Sequence, residues 1–274
     1  TAYQPTGIVG SILKLIHLAR RMLEEGLMPE DSSVQRLVAG GESFAEESRS
    51  YAAELWQRDV FNTYGSTEGT MCGECMVRNG LHVPEDLVHL DVYNPALQSF
   101  VPDGECGRAV LTTLLPVGGK TGFLLINYDT EDTTLVLSRE PCPCGRTHMK
   151  IMHPRREAET VWILGTPVNR VDIEQGVFQR QNMEYLTGEY EAFVYGGDEE
   201  EETVLRVSME CTDPAITPGE EIAETFRKTF FRCKPALARS LGDLFTLVVA
   251  FTGPGELELY RLKGRPKRLV DRRL

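Results

Sequence analysis

The chain has 274 residues, 41% of them hydrophobic, and a formal charge of −12 from 41 acidic against 29 basic side chains. That balance excludes a nucleic-acid backbone as the main partner, because phosphate chains are held by clustered cations. No stretch approaches the roughly 18 apolar residues of a membrane span, and the start, Thr1-Ala-Tyr-Gln-Pro, has neither the basic beginning nor the apolar run of a signal peptide, so no membrane partner and a cytoplasmic location are expected.

The length suits one large domain or two modest ones. Residues 11–29 set Ile12, Leu13, Leu15, Ile16, Leu18, Ala19, Met22 and Leu23 at helical spacing, with Gly26 near the end. Val34-Gln-Arg-Leu-Val-Ala reads as a buried strand ending at Gly40-Gly41, residues 44–57 as a second helix, and Val60-Phe-Asn-Thr-Tyr as a strand running into a Gly-Ser-Thr turn. Strand, glycine turn, helix, strand is the alternation of a layered α/β domain.

From residue 87 the pattern becomes strand-rich. Leu87-Val-His-Leu-Asp-Val-Tyr, Arg108-Ala-Val-Leu-Thr-Thr-Leu, Gly122-Phe-Leu-Leu-Ile-Asn-Tyr and Thr134-Leu-Val-Leu are separated by Gly, Pro and Asp turns, as in a distorted barrel. After residue 156 the strands Thr160-Val-Trp-Ile-Leu, Glu191-Ala-Phe-Val-Tyr, Thr203-Val-Leu-Arg-Val-Ser-Met and Phe245-Thr-Leu-Val-Val-Ala-Phe accompany a helix over residues 219–241. The expected fold class is therefore α/β: a layered large domain over 1–154, with a β-rich subdomain, and a small α+β domain over 155–274.

Tyr64-Gly65-Ser66-Thr67-Glu68 is the sharpest local signal. An aromatic ring stacks on a purine, glycine admits the backbone, a hydroxyl reaches phosphate, and a carboxylate holds Mg²⁺. Alone, such a pentapeptide is more often a plain strand-end turn. Gly40-Gly41-Glu42 ends the preceding strand, Tyr128-Asp129-Thr130-Glu131-Asp132 offers a carboxylate for two ribose hydroxyls, Arg156 follows, and basic residues gather from Arg261 to Arg273. The seven cysteines are an odd number and read as thiols or metal ligands rather than a disulfide framework. Cys75, His82, Cys142 and Cys144 form a donor set suited to tetrahedral zinc, with Cys72 a rival to Cys75 and metal-free thiols the bland reading.

In this order the segments resemble the adenylate-forming superfamily, and within it the phenylacetate–CoA ligase group. Gly80-Leu-His-Val-Pro-Glu-Asp, Asp103-Gly-Glu-Cys-Gly-Arg-Ala-Val-Leu-Thr-Thr-Leu, Cys142-Pro-Cys-Gly-Arg-Thr-His and the terminal Pro-Lys-Arg-Leu-Val-Asp all look like that group. The resemblance implies an enzyme that binds ATP and Mg²⁺ and passes through AMP. Gly40, Gly41 and Glu42 would lie along adenine, Tyr64 would stack on it, and Gly65 and Ser66 would line the turn. Thr67 would contact the α-phosphate, Glu68 would hold Mg²⁺, Asp132 would hold ribose, and Arg156 would reach in from a hinge. Some members carry the same Cys/His set, which favours a structural Zn²⁺.

The departures are equally specific. The Ser/Thr/Gly-rich loop that cradles the β- and γ-phosphates should precede residue 1, so a longer parent chain is expected. The hinge pivot position is Ala158, and the basic residue before Gly165 is Leu164. The lysine that usually follows the terminal glycine is Arg265, with Lys267 the nearest lysine, so either is a candidate catalytic cation. The acidic Tyr128-Asp-Thr-Glu-Asp stands where the group is basic, and with the altered hinge, Leu164, Tyr64-Gly-Ser-Thr-Glu-Gly-Thr and Phe251-Thr-Gly-Pro-Gly-Glu-Leu-Glu-Leu-Tyr-Arg it resembles the coenzyme F-390 synthetases, which join AMP to the hydroxyl of the deazaflavin coenzyme F-420. The alternatives are an aryl acid ligated to coenzyme A and a non-catalytic nucleotide-binding module. A homodimer is left open.

Overall fold

The computed structural model describes residues 4–67, 70–114, 124–196, 202–213, 219–259, 261–262 and 265–273. The chain forms two compact units, one of Thr1–Ser43 with Trp56–Ala158 and one of Phe44–Leu55 with Glu159–Leu274.

In the first unit, β1 (Gly7–Gly10), β2 (Arg36–Gly40) and β3 (Val60–Gly65) pair in parallel. Parallel neighbours need a crossover connection, which α1 (Ile12–Glu24) supplies between β1 and β2. Its buried stripe is Ile12, Leu13, Leu15, Ile16 and Ala19. The helix stops five residues short of the span read from spacing. Gly26 turns left-handed at φ 76, and the Leu27 N–H closes onto the Met22 carbonyl, a Schellman ending. The sheet continues antiparallel through β4 (Met71–Glu74) and β5 (Leu81–His82).

A second sheet is antiparallel throughout. It contains β6 (Val88–Asn94), β7 (Ser99–Phe100), β8 (Gly107–Thr113), β9 (Tyr128–Thr134) and, beyond β10 (Val136–Ser138) and β11 (Lys150–Ile151) in the chain, β12 (Arg155–Arg156). Among the described residues the order is β12-β9-β8-β6-β7, while β11 and β10 complete the edge of the first sheet next to β5. Tyr64, Cys72, Leu81, Val88, Leu90, Leu111, Met149 and Ile151 pack into one core between the two sheets. The strand expected over 122–128 is corrected: Leu124–Asn127 lie outside any strand, and residues 115–123 lie outside the described residues. The strand is instead the polar Tyr128–Thr134, in which only Asp132 and Thr134 are buried.

The second unit holds most of α2 (Glu46–Trp56), a hairpin of β13 (Val161–Ile163) and β14 (Thr166–Val168), α3 (Arg170–Val177), β15 (Leu186–Tyr195) and β16 (Thr203–Cys211). The helices α4 (Glu220–Cys233) and α5 (Pro235–Arg239) follow, then β17 (Phe245–Thr252), β18 (Arg261–Leu262), β19 (Arg265–Pro266) and β20 (Leu269–Asp271). Its sheet runs β17-β16-β15-β20. The single helix expected over 219–241 is two, because Pro235 forces Lys234 out of helical geometry to φ −126, ψ 63. Helix α3 begins with a capping box in which the Asn169 side chain accepts from Val171 and Asp172 N–H groups and Asp172 accepts from the Asn169 N–H. Glu174 of α3 is fully buried and satisfied: it accepts from Arg170 Nε at 2.6 Å, Tyr190 Oη at 3.3 Å and the Ala45 N–H at 3.1 Å.

Candidate nucleotide site and thiol cluster

Strand β3 alternates, burying Val60, Asn62 and Tyr64. The Tyr64 hydroxyl donates to Asp132 Oδ2 at 2.6 Å, and the ring meets His153 edge-on at 6.2 Å. Burial, then the bond to Asp132 and its charge, push the Tyr64 pKa far above its ordinary value, so the phenol stays a donor. Asp132, expected to accept ribose hydroxyls, already has protein neighbours at both oxygens. One oxygen serves Tyr64, and the other lies 3.7 Å from Arg156 Nε. A carboxylate has about four lone-pair directions, so acceptor capacity remains.

Asp132 owes its inward aim to a bulge. Arg108 pairs with Thr133 and Val110 with Asp129, so Thr130, Glu131 and Asp132 face Ala109 alone. Such an insertion bends the strand and redirects a side chain. Local bonds hold it: Thr130 Oγ1 donates to the Ala109 carbonyl at 2.8 Å, the Asp132 N–H donates to Thr130 Oγ1, and the Glu131 N–H donates to Asp129 Oδ1. On the other side Arg156 pairs directly with Asp132 through β12.

The turn after β3 closes through the Ser66 N–H on the Thr70 carbonyl at 3.0 Å. Gly65 and Thr67 are exposed, while Glu68 lies outside the described residues. Gly40 is required by packing, since a Cβ there would come within 2.5 Å of Thr63 Cγ2. Gly41 is left-handed at φ 84 with open space around it, and Glu42 beside it is half-buried. Among the described residues, two buried polar atoms on this strand end have no hydrogen-bond partner, Asn62 Oδ1 and Ser66 Oγ. A buried acceptor left unpaired costs about 1–3 kcal/mol, so a ligand bearing an amine or phosphate donor–acceptor set fits what the strand lacks. Sequence reasoning passed over Asn62, although its place two residues before Tyr64 put it on the same face.

The acidic stretch is also altered by its surroundings. Asp129 Oδ2 pairs with Arg108 Nη1 at 3.1 Å, so its charge is matched within the sheet. Arg265 lies in β19, its side chain outside the described residues, and Lys267 is half-buried in the link to β20. Next to it Arg268 is buried against β15: it pairs with Glu189 at 2.5 Å, donates to the Tyr190 carbonyl at 3.0 Å and lies over the Tyr190 ring. Leu164 and Gly165 form the left-handed tip of the β13–β14 hairpin, at φ 47 and 71.

The cluster of Cys75, His82, Cys142 and Cys144 is brought together from two hairpin ends, with its donor atoms all within 4.8 Å of one another. Cys75 and Cys142 Sγ are 3.8 Å apart, and Cys144 Sγ is 3.7 Å from His82 Nε2. Tetrahedral zinc with bonds of about 2.3 Å to sulfur and 2.0 Å to nitrogen sets such edges at about 3.8 and 3.5 Å, so the donors fit the metal. His82 Nδ1 faces the His148 carbonyl at 3.2 Å; a carbonyl only accepts, so Nδ1 carries the proton and Nε2 is left as the ligand. Burial lowers the His82 pKa, which favours the neutral ring. The Cys142–Gly145 turn is closed by the Gly145 N–H on the Cys142 carbonyl, with Gly145 at φ 91. Cys72 is apart from the cluster, its thiol beside Thr70 Oγ1.

No family model matches the chain. Phenylacetate-coenzyme A ligase of Thermus thermophilus is 33% identical over 138 residues, 49% of this chain and 30% of that protein. Phenylacetate-coenzyme A ligase of Pseudomonas putida is 25% identical over 215 residues, 76% of this chain and 47% of that protein. The chain thus spans less than half the length of these curated relatives. Among solved structures, a 2-hydroxyisobutyryl-CoA ligase in complex with an acyl-AMP aligns with 98% of this chain and 55% of its own, at TM-score 0.75 and 23% identity. An anthranilate CoA ligase in complex with anthranoyl-AMP aligns with 96% and 48%, at TM-score 0.61 and 14% identity. The fold is that of the adenylate-forming ligases. Among the described residues no helix is long and apolar enough to cross a membrane.

Proposed function

We propose that this chain, built on the adenylate-forming ligase fold, is part of an ATP-dependent enzyme that activates a carboxylic acid as its adenylate and passes the acyl group to coenzyme A. The observation that carries the reading is the meeting of the end of β3 with Asp132, where a buried tyrosine and a bulged strand present a carboxylate. The two phenylacetate-coenzyme A ligase relatives support an aryl acid as acceptor. One ground of the deazaflavin reading, the acidic rim, is weakened by the pairing of Asp129 with Arg108.

In the first step an acid oxygen attacks the α-phosphorus of ATP and pyrophosphate leaves. In the second the thiolate of coenzyme A attacks the acyl carbonyl and AMP leaves. Asp132 holds the ribose through its remaining acceptor sites, Arg156 offers a cation beside it, and the turn at Ser66 and Thr67 faces phosphate. Mg²⁺ neutralises phosphate charge in such transfers, with Glu68 its candidate ligand. Arg265 and Lys267, both carried by the second unit, are the candidate cations for the α-phosphate. Full-length protein should exchange labelled pyrophosphate into ATP only with a suitable acid, and coenzyme A should then yield thioester. Exchange with coenzyme F-420 and with no carboxylic acid would transfer the assignment to the deazaflavin hydroxyl. No exchange with either would leave a nucleotide-binding module.

Zinc belongs to the same proposal as a structural ion held by Cys75, His82, Cys142 and Cys144. A closed four-ligand site has no open position for chemistry, so the ion stabilises the ends of the β4–β5 hairpin and the Cys142 turn. Elemental analysis should give one zinc per chain. Chelation should lower the melting temperature by several degrees, and Cys142→Ser should do the same. A metal-free protein with unchanged melting would remove zinc from the account.

A further inference from the structure

We propose that Arg108 is a positioning residue that fixes where the chain leaves the first unit. Its guanidinium, on β8, reaches across β9 and holds two acids at once. Nη1 meets Asp129 Oδ2 at 3.1 Å, while Nε and Nη2 meet Glu157 Oε2 at 2.8 and 2.7 Å. The forked, planar cation suits this double grip, and the two acids raise the arginine pKa further.

The places of the partners give the strap its meaning. Asp129 opens the bulge that aims Asp132, and its other oxygen shapes the backbone at Glu131. Glu157 follows Arg156, whose backbone pairs with Asp132, and the first unit ends one residue later at Ala158. β12 is only two residues long, too short to hold this exit by ladder bonds alone. Arg108 therefore ties three strands into one block, keeps Arg156 beside Asp132, and confines any turning of the connection to residues after Glu157. The Ala158 departure then falls on the first position left without this restraint. A single exposed ion pair is worth little, but here one cation bridges two acids of adjoining segments, which makes it a short network.

The test is amide hydrogen exchange on the full-length protein. Arg108→Met should speed exchange about tenfold in peptides covering residues 154–158, with peptides from β6 and α1 unchanged, and Glu157→Gln should reproduce it. Arg108→Lys, which keeps the charge but not the fork that reaches both acids, should restore only part of the protection. Unchanged exchange at 154–158, or faster exchange spread over the whole sheet, would overturn the proposal. In kinetics, the ratio of thioester formation to pyrophosphate release should fall about tenfold in Arg108→Met. This second readout rests on the coenzyme A reading. A wild-type protein that forms no thioester refutes that reading, while the exchange result still decides the strap.

Discussion

If Asp132 orients the ribose as proposed, Asp132→Ala should lower ATP-dependent turnover by about 10²-fold or more, with weaker ATP binding. The same substitution has a second consequence that the Tyr64 bond makes specific. Removing the carboxylate leaves the Tyr64 hydroxyl, in a residue only 8% exposed, without its acceptor, a penalty of about 1–3 kcal/mol. A fall in activity could then reflect folding alone, and a three-way comparison separates the two effects. Tyr64→Phe removes the donor and should leave the fold close to wild type. Tyr64→Phe with Asp132→Ala removes both partners, so the melting temperature should recover relative to Asp132→Ala while turnover stays low. Asp132→Asn keeps an acceptor for Tyr64 but not the charge beside Arg156, and should fall between. Near-normal turnover in Asp132→Ala would end the ribose assignment. Recovery of turnover in the double variant would show that Asp132 acts only through Tyr64.

The parts of this site that were legible in sequence are those signalled by short-range chemistry. Tyr64 and Gly65 end an alternating strand, and Gly40-Gly41 punctuates another, so both strand ends were visible from local pattern. The thiol cluster was visible as a donor set, because cysteine and histidine bring few alternatives. Strand β9 was not, since a strand reading Tyr-Asp-Thr-Glu-Asp-Thr-Thr has almost no apolar face, and the nearby apolar run at 122–126 drew the strand to itself. A bulge has no period to detect. The Tyr64–Asp132 bond joins residues 68 apart, and Arg108 meets Glu157 across 49 residues, distances over which propensity carries nothing. Helix α3 is a different kind of miss: its Asn169-Arg-Val-Asp capping box was readable, but its apolar stripe is weak because it buries Arg170, Asp172 and Glu174. Charged residues that pair inside a unit look, in sequence, like residues that face water.

The basic end of the chain offers two candidates for the cation that meets the α-phosphate, and the surroundings of Arg268 say what each requires. Arg268 is pinned to β15 by Glu189, by the Tyr190 carbonyl, and by its own carbonyl accepting from the Ala192 N–H at 2.7 Å. Lys267 is one residue from that anchor, so its backbone is fixed and only its side chain must reorient. Arg265 is three residues away, in a two-residue strand, and must carry its charge at the end of a shorter restraint. The anchored position makes Lys267 the first to test. If it is the catalytic cation, Lys267→Ala should slow adenylate formation by about 10²-fold or more with little change in ATP affinity, because the contact forms mainly in the transition state. Lys267→Arg should recover part of the rate, since charge is kept and reach changes. If Arg265→Ala shows the loss instead, an arginine occupies the role that lysine fills in the group this chain resembles, and Arg265→Lys should then retain activity. Glu189→Gln supplies the control for anchoring: it leaves both cations in place but loosens Arg268, and should reduce the rate while raising hydrogen exchange over residues 265–270. Adenylate formation that survives both alanine substitutions would mean that the second unit does not deliver the charge, and that Arg156, already beside Asp132, serves the phosphate from within the first unit.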